Sequence, residues 1–457
     1  MRILMISAGL PPKRTGGVPL YVTDLRNELA RRGYDVRYLD TNCQDESRKP
    51  RITQTAGSPL DYSFFNSGRR FHVGVMPTPF SEVHASDESR KCFLDFIHEL
   101  KPDIVHFHET LCVPLDLVSA LRDCGHTVIY TVEDYSPVCP TVQLFTHDQR
   151  LCTLKTDELE CETCVRKWPV ARLPTNADWA NPIVKGDGFS ARARRALLRY
   201  LGLVINPFVV GRAFRKEAYR ARRVDAVRHL RACNLLICMS KQQYSLMTSI
   251  FGDAGNMRQV YLSLESYQQP KPKQTTEHPQ TAGNVIRFAA LNTNQINKGG
   301  ELLLHAFQSL RAEICNVELH LFGDKDGART EGVVYHGTYD RSDLDTLLAP
   351  MDVGVIPSLW PEAYAYVGPE MLMRGIPLIV SVAGAMPEYV IPEFNGLHFD
   401  PTEPGSLRMA MRKLATDQAL LNRLKSNAPA STQGIVLFSN HVDQMESIYA
   451  EVLGSSK

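Results

Sequence analysis

Residues 1–33 read MRILMISAGLPPKRTGGVPLYVTDLRNELARRG, and this stretch decides the fold. Ile3 to Ala8 is a near-continuous apolar run, as expected of a strand covered on both faces. A turn-rich segment with Gly16-Gly17 follows. Leu20, Tyr21, Leu25 and Leu29 then recur at helical spacing, and Arg31-Arg32-Gly33 closes that helix with cations and a terminal glycine. Strand, glycine turn and helix make the first half of a βαβ unit. Strands are expected again at Asp35–Leu39, Phe71–Met76, Ile104–His108 and Thr127–Val132, with a helix through Leu94, Ile97 and Leu100. Such alternation predicts a mostly parallel, doubly wound sheet.

The alternation restarts at Val285. Strands are expected at Val285–Ala290, Val317–Phe322, Val333–His336, Val353–Pro357 and Pro377–Val382. Helices are expected at Gly299–Arg311, Asp343–Leu348, Pro369–Arg374 and Ser406–Ala415. The chain therefore reads as α/β, with two Rossmann-like doubly wound domains facing an interdomain cleft. The first domain takes residues 1–264, the polar stretch 265–284 is a linker, and 285–435 form the second domain. The amphipathic end, 436–457, is a helix suited to cross back to the first domain. Ligands of such sheets bind outside the carboxyl ends of the strands.

Composition narrows the function classes. With 457 residues, 44% of them hydrophobic, and a net charge of +1, the chain is neither disordered nor a basic nucleic-acid binder. The sum conceals one patch: residues 185–231 hold thirteen Lys/Arg against three acidic residues. Basic and apolar residues together suit a helix lying on an anionic membrane surface; a solvated basic face, or a contact for phosphates of a soluble acceptor, are the competing readings. No signal peptide or membrane-spanning stretch is expected, which points to the cytoplasm, with peripheral membrane contact through 185–231. Of eleven cysteines, Cys92, Cys112, Cys233 and Cys238 sit in apolar runs and read as buried thiols. Cys139, Cys152, Cys161 and Cys164 are close enough in sequence for a structural zinc site; the alternative is four unconnected thiols.

The richest stretch is Pro357-Ser-Leu-Trp-Pro-Glu-Ala-Tyr-Ala-Tyr-Val-Gly-Pro-Glu370. It runs from a strand end through a loop to a helix opening near Pro369, so it presents backbone N–H groups to an anion. Glu362 and Glu370 lie eight positions apart on it, and Lys298 lies on the loop after the first strand of the same domain. A lysine and a helix start facing one cleft suit a diphosphate leaving group, whose developing charge must be stabilised. No Asp-x-Asp motif is placed to hold a metal there, so no cofactor is expected to be required for catalysis.

With Gly384-Ala-Met-Pro-Glu388, Gly16-Gly17, Pro102-Asp-Ile-Val-His-Phe-His108 and Asn395-Gly396-Leu397, this pattern resembles the retaining glycosyltransferases of family 4, which have the GT-B fold. The resemblance runs from residue 1 to about 425, with a weaker middle. It implies a nucleotide-diphosphate sugar as donor and a hydroxyl of a glycan or lipid-linked glycan as acceptor, in surface polysaccharide synthesis. Under it, Gly16 and Gly17 approach the donor phosphates and His108 stands beside the reacting sugar, with His106 as the competing choice. Lys298 contacts the diphosphate, and Glu362 faces the sugar hydroxyls. The backbone of Tyr364, Ala365, Tyr366 and Val367 lies near phosphate, and Glu370 takes the ribose hydroxyls. Two departures stand out. Asn292 occupies the place of a frequent arginine, and Ala365 that of a frequent glycine. Asn292 motivates an alternative, a catalytically inactive GT-B subunit that binds a nucleotide or glycan and serves assembly.

Overall fold

The computed structural model describes residues 1–68, 83–110, 112–146, 148, 150–152, 161, 163–164, 216–252, 255–268, 285–323, 330–431 and 433–455. The chain forms two compact units. The first comprises 1–239, 244–260 and 442–457; the second comprises 240–243 and 261–441.

Among the described residues the first unit holds an eight-stranded sheet. Its strands are β1 (Arg2–Ser7), β2 (Asp35–Cys43), β3 (Arg51–Gln54), β4 (Asp61–Phe65), β5 (Ile104–Phe107), β6 (Val128–Val132), β7 (Leu235–Cys238) and β8 (Met257–Gln259). The order is β3-β4-β2-β1-β5-β6-β7-β8, parallel except for the β3–β4 pair. Buried runs such as Ile3–Ile6 and Val128–Tyr130 form its core. The chain passes from β1 to one side and later returns to the other, so the order reverses between β1 and β5. Helix Gly17–Arg31 follows β1 with Tyr21, Val22, Leu25 and Leu29 turned inward. The expected strand at Phe71–Met76 lies outside the described residues. The β3–β4 hairpin escaped the sequence reading because Arg51–Gln54, at the sheet edge, and Asp61–Phe65, next to it, are short, half-exposed strands without an apolar run.

The second unit holds a six-stranded parallel sheet among the described residues: β9 (Ile286–Leu291), β10 (Val317–Phe322), β11 (Val333–Gly337), β12 (Val353–Ile356), β13 (Leu378–Ser381) and β14 (Gly396–Phe399). The order is β11-β10-β9-β12-β13-β14, which reverses between β9 and β12. Phe288, Leu303, Phe307, Leu310, Leu319, Val355, Met411 and Leu414 pack into one core between this sheet and helices Gly300–Glu313 and Ser406–Thr416. Of the stretch expected to be a linker, Tyr267 is fully buried in this unit and donates from its hydroxyl to the Tyr366 carbonyl at 2.6 Å.

The C-terminal residues from Val442 onward pack in the first unit. There Arg32 meets Asp443 at 2.6 Å and Glu446 at 2.5 Å, and Tyr449 is buried. Only Lys216–Arg231 of the basic segment is described, as a helix. Two of its arginines are structural. Arg222 donates to the carbonyls of Pro137 (3.1 Å) and Ser136 (2.6 Å), Arg223 donates to that of Val138 (3.2 Å), and they are 3% and 7% exposed. These two arginines thus answer carbonyls in the loop after β6. Among the described residues no helix is long and apolar enough to cross a membrane.

Candidate active site

In the second unit the site grows from the loops after β9 and β12, the two strands at which the order reverses. That is where an open parallel sheet leaves a crevice at its carboxyl edge. The loops are zipped together: the N–H of Leu359 donates to the Asn297 carbonyl at 2.8 Å. Gly299 has φ +76°, and a Cβ there would stand 1.9 Å from the Pro357 carbonyl oxygen, so only glycine lets the chains approach this closely. Lys298 precedes that glycine. Its Nζ donates to Glu362 Oε1 at 2.6 Å and lies 5.2 Å from the centre of the Trp360 ring. Ser358 Oγ donates to the same Glu362 oxygen at 2.6 Å. Glu362 is 4% exposed. Its carbonyl accepts from Ala385 N at 2.9 Å, and Gly384 supplies the room its backbone needs. The motif Gly384–Glu388 thus shapes the seat of Glu362, while Glu388 itself accepts from the N–H groups of Lys241 and Gln242 and from the Tyr261 hydroxyl.

Glu370 is 6% exposed on helix Val367–Leu372. Its Oε1 accepts from Ser266 Oγ at 3.0 Å and from Arg341 Nε at 3.1 Å, and Arg341 also donates to Ser266 Oγ at 2.6 Å. Ser358, Trp360, Ser266 and Arg341 were not singled out from sequence. Ser358 and Trp360 stand inside the quoted loop, where their spacing to Glu362 was a usable signal. Ser266 and Arg341 are far from Glu370 in sequence, and no local pattern marks them.

The segment Tyr364–Val367 is held from three sides. The Tyr364 hydroxyl donates to the Gly434 carbonyl at 2.8 Å, the Tyr389 hydroxyl to that of Ala365 at 3.3 Å, and Tyr267 to that of Tyr366. Ala365 adopts φ +62°, a left-handed backbone that glycine tolerates better. Asn292 also has positive φ, 54°, a conformation asparagine accepts more readily than most residues. Its Nδ2 donates to the Tyr339 hydroxyl at 3.1 Å, and its Oδ1 fills the space a side chain at Gly323 would need. Asn292 is therefore fitted to the turn after β9.

In the first unit the corresponding loops follow β1, β5 and β6. Gly16 has φ +132° and precedes helix Gly17–Arg31. The turn before it is anchored: Glu109 Oε1 accepts from Ala8 N at 2.7 Å and from the Arg14 guanidinium. His106 and His108 are both fully buried, with ring centres 4.0 Å apart. Their environments differ. His106 is bonded at both nitrogens, to the Tyr449 hydroxyl (2.9 Å) and Thr131 Oγ1 (2.8 Å). His108 Nδ1 meets Glu133 Oε1 at 3.2 Å, and its Nε2 has no hydrogen-bond partner among the described residues. Burial pulls His108 down to about 3, so the ring is neutral at physiological pH.

The four cysteines expected to hold zinc lie in the stretch after β6. Cys139, Cys161 and Cys164 are buried, and Cys152 is half-buried. Burial, reinforced by the three neighbouring thiols, pushes Cys161 up to about 12. Yet among the described residues no group of three or more His, Cys, Asp or Glu side chains is placed to hold a metal ion. Cys112, Cys233 and Cys238 are buried, as expected, and Cys92 is half-buried.

A model of glycosyltransferase family 4 matches residues 15–162, and one of group 1 glycosyl transferases matches residues 277–431. The chain has the two Rossmann-like domains of the GT-B fold. It is 28% identical over 174 residues to a putative glycosyltransferase, YtcC, of Bacillus subtilis, a match covering 34% of this chain and 43% of that one. The chain thus spans less than half the length of that curated relative. Among solved structures, sucrose-phosphate synthase from Thermosynechococcus elongatus superposes with a TM-score of 0.63 at 17% identity, over 99% of each chain. Anabaena Alr3699/HepE, solved in complex with UDP, gives 0.60 at 15% identity, over 99% of this GT-B chain and 100% of that one.

Proposed function

We propose that the chain transfers a sugar, with retention of configuration, from a nucleotide-diphosphate sugar to a hydroxyl of a glycan or lipid-linked glycan in surface polysaccharide synthesis. The observation that carries this reading is the Lys298–Glu362 pair at the carboxyl edge of β9 and β12. A buried carboxylate holding a lysine beside a loop rich in backbone N–H groups is a pre-set phosphate contact. When a donor binds, Lys298 turns to the diphosphate and neutralises the charge that develops on the leaving group. Glu362, released from the ammonium and still oriented by Ser358, then accepts from the sugar hydroxyls. The contacts on Glu370 fall on Oε1, which leaves Oε2 to accept from a ribose diol. His108 stands beside the reacting sugar in this reading, and Gly16-Gly17 allow the backbone to approach the phosphates. The UDP complex of the structurally similar HepE agrees with a nucleotide-diphosphate donor.

A thermal-shift screen of nucleotide sugars tests the reading. One donor should raise the melting temperature, and its hydrolysis or transfer should be lost in Glu362→Gln. A donor that binds and never turns over with any candidate acceptor would favour the inactive assembly subunit instead.

A further inference from the structure

His108 and Glu109 follow β5, and Glu133 follows β6, its neighbour in the sheet. All three side chains are buried. Glu109 has its own cation, Arg14, and a backbone N–H from Ala8. Glu133 has no such partner. Among the described residues its Oε1 meets only His108 Nδ1, at 3.2 Å, and its Oε2 is buried with no hydrogen-bond partner. Two carboxyls thus share one arginine, and half-buried Asp134 stands beside them. A second anion next to Glu109 in a low dielectric is unfavourable. Burial, Glu109 and Asp134 together push the Glu133 carboxyl well above the usual carboxylate range, and Asp134 rises to about 6.

The ring of His108 is held on its other sides by His106, at 4.0 Å between centres, and by the edge of Tyr21, at 5.6 Å. Which nitrogen carries its proton is set by the partner of the other. We propose that Glu133 is a positioning residue that keeps its proton and donates it to His108 Nδ1, so that His108 offers Nε2–H as a hydrogen-bond donor to an oxygen of the bound substrate. A carboxylic acid kept neutral by its surroundings is suited to that role. The identity of the substrate rests on the sugar-transfer reading above; the tautomer of His108 does not. As pH rises and Glu133 ionises, the carboxylate accepts from Nδ1–H instead, the ring proton leaves Nε2, and the donor is lost.

The test is nitrogen-15 NMR of the full chain labelled at histidine, with His108 assigned through His108→Gln, alongside donor turnover. Near neutral pH the wild type should show the Nε2–H tautomer and lose it on the alkaline side. Glu133→Gln places an amide N–H where the acid O–H stood, so it should keep that tautomer and abolish the alkaline change. Glu133→Ala should give a mixture of tautomers. Turnover should fall about a hundred-fold in Glu133→Ala and recover to within about two-fold in Glu133→Gln. An Nδ1–H tautomer in the wild type near neutral pH, or its appearance in Glu133→Gln, overturns the proposal. If Glu133→Ala does not fold, the wild-type and Gln spectra still decide. The expected spectra without turnover of any nucleotide sugar would refute the sugar-transfer reading and leave the role of Glu133 standing.

Discussion

Ala365 and Gly299 form a natural pair for perturbation, because both sit at left-handed positions in the loops of the second unit but only one is glycine. Ala365 has φ +62°. That conformation costs an L residue about 1–2 kcal/mol. Replacing it with glycine removes the strain and adds unfolded-state freedom worth about 0.4–1 kcal/mol. The net expectation for Ala365→Gly is a gain of about 1 kcal/mol, or a rise of about 2–4 °C in the melting temperature of a domain of this size. Gly299→Ala should act in the opposite sense. It imposes the same left-handed strain at φ +76° and drives a methyl group to 1.9 Å from the Pro357 carbonyl oxygen. The loops must then part, at a cost of about 2–5 kcal/mol. Differential scanning calorimetry of the two variants and the wild type measures both. Because the loop also faces the proposed phosphate site, Ala365→Gly should bind the winning donor at least as tightly as the wild type. A lower melting temperature for Ala365→Gly would refute the reasoning: it would mean that the methyl group packs more favourably than its backbone is strained.

Other consequences follow from single contacts. Lys298→Met removes the cation held by Glu362 and should reduce donor turnover by about 10²–10³-fold while abolishing the donor-induced thermal shift. Arg341→Met strips Glu370 of its charged partner and leaves only Ser266, so urea denaturation should show a loss of about 2 kcal/mol together with weaker nucleotide binding. His441 is fully buried and its ring is pulled down to about 3, so it is neutral when folded and takes up a proton on unfolding once the pH falls below about 6.5. Stability is therefore complete above about pH 6.5 and should fall toward about pH 3 by at most about 1.4 kcal/mol per pH unit for this histidine, a slope that His441→Gln should remove.

The elements that sequence reading captures are those with an apolar run of their own. The expected Val317–Phe322 coincides with β10, and the expected strand ending at Pro357 with β12, because Val317, Leu319 and Leu321 in one and Val353, Val355 and Ile356 in the other are buried apolar residues. Edge strands such as Arg51–Gln54 have no such residues, and Gln418–Asn427 is a helix that follows directly on another without a new strand between them. The candidate site divides in the same way. Lys298, Glu362 and Glu370 stand out because a glycine, a proline and a helix start surround them. Arg341 and Ser266 do not, since their role comes from where the turn after β11 and the segment before residue 269 meet Glu370. The basic segment shows the converse: its arginines read as surface charge, and Arg222 and Arg223 are instead buried against backbone carbonyls.

By itself, then, the order of residues determined two parallel sheets, the loops that end their strands and the carboxylates and lysine those loops carry, because periodicity and turn chemistry are local properties. Tertiary structure alone decided the partners: Lys298 against Glu362, Arg341 against Glu370, and Glu133 rather than a cation against His108. The physical reason is that hydrogen bonds, burial and charge act over a few ångströms of space, and strands that are neighbours in a doubly wound sheet are far apart in sequence.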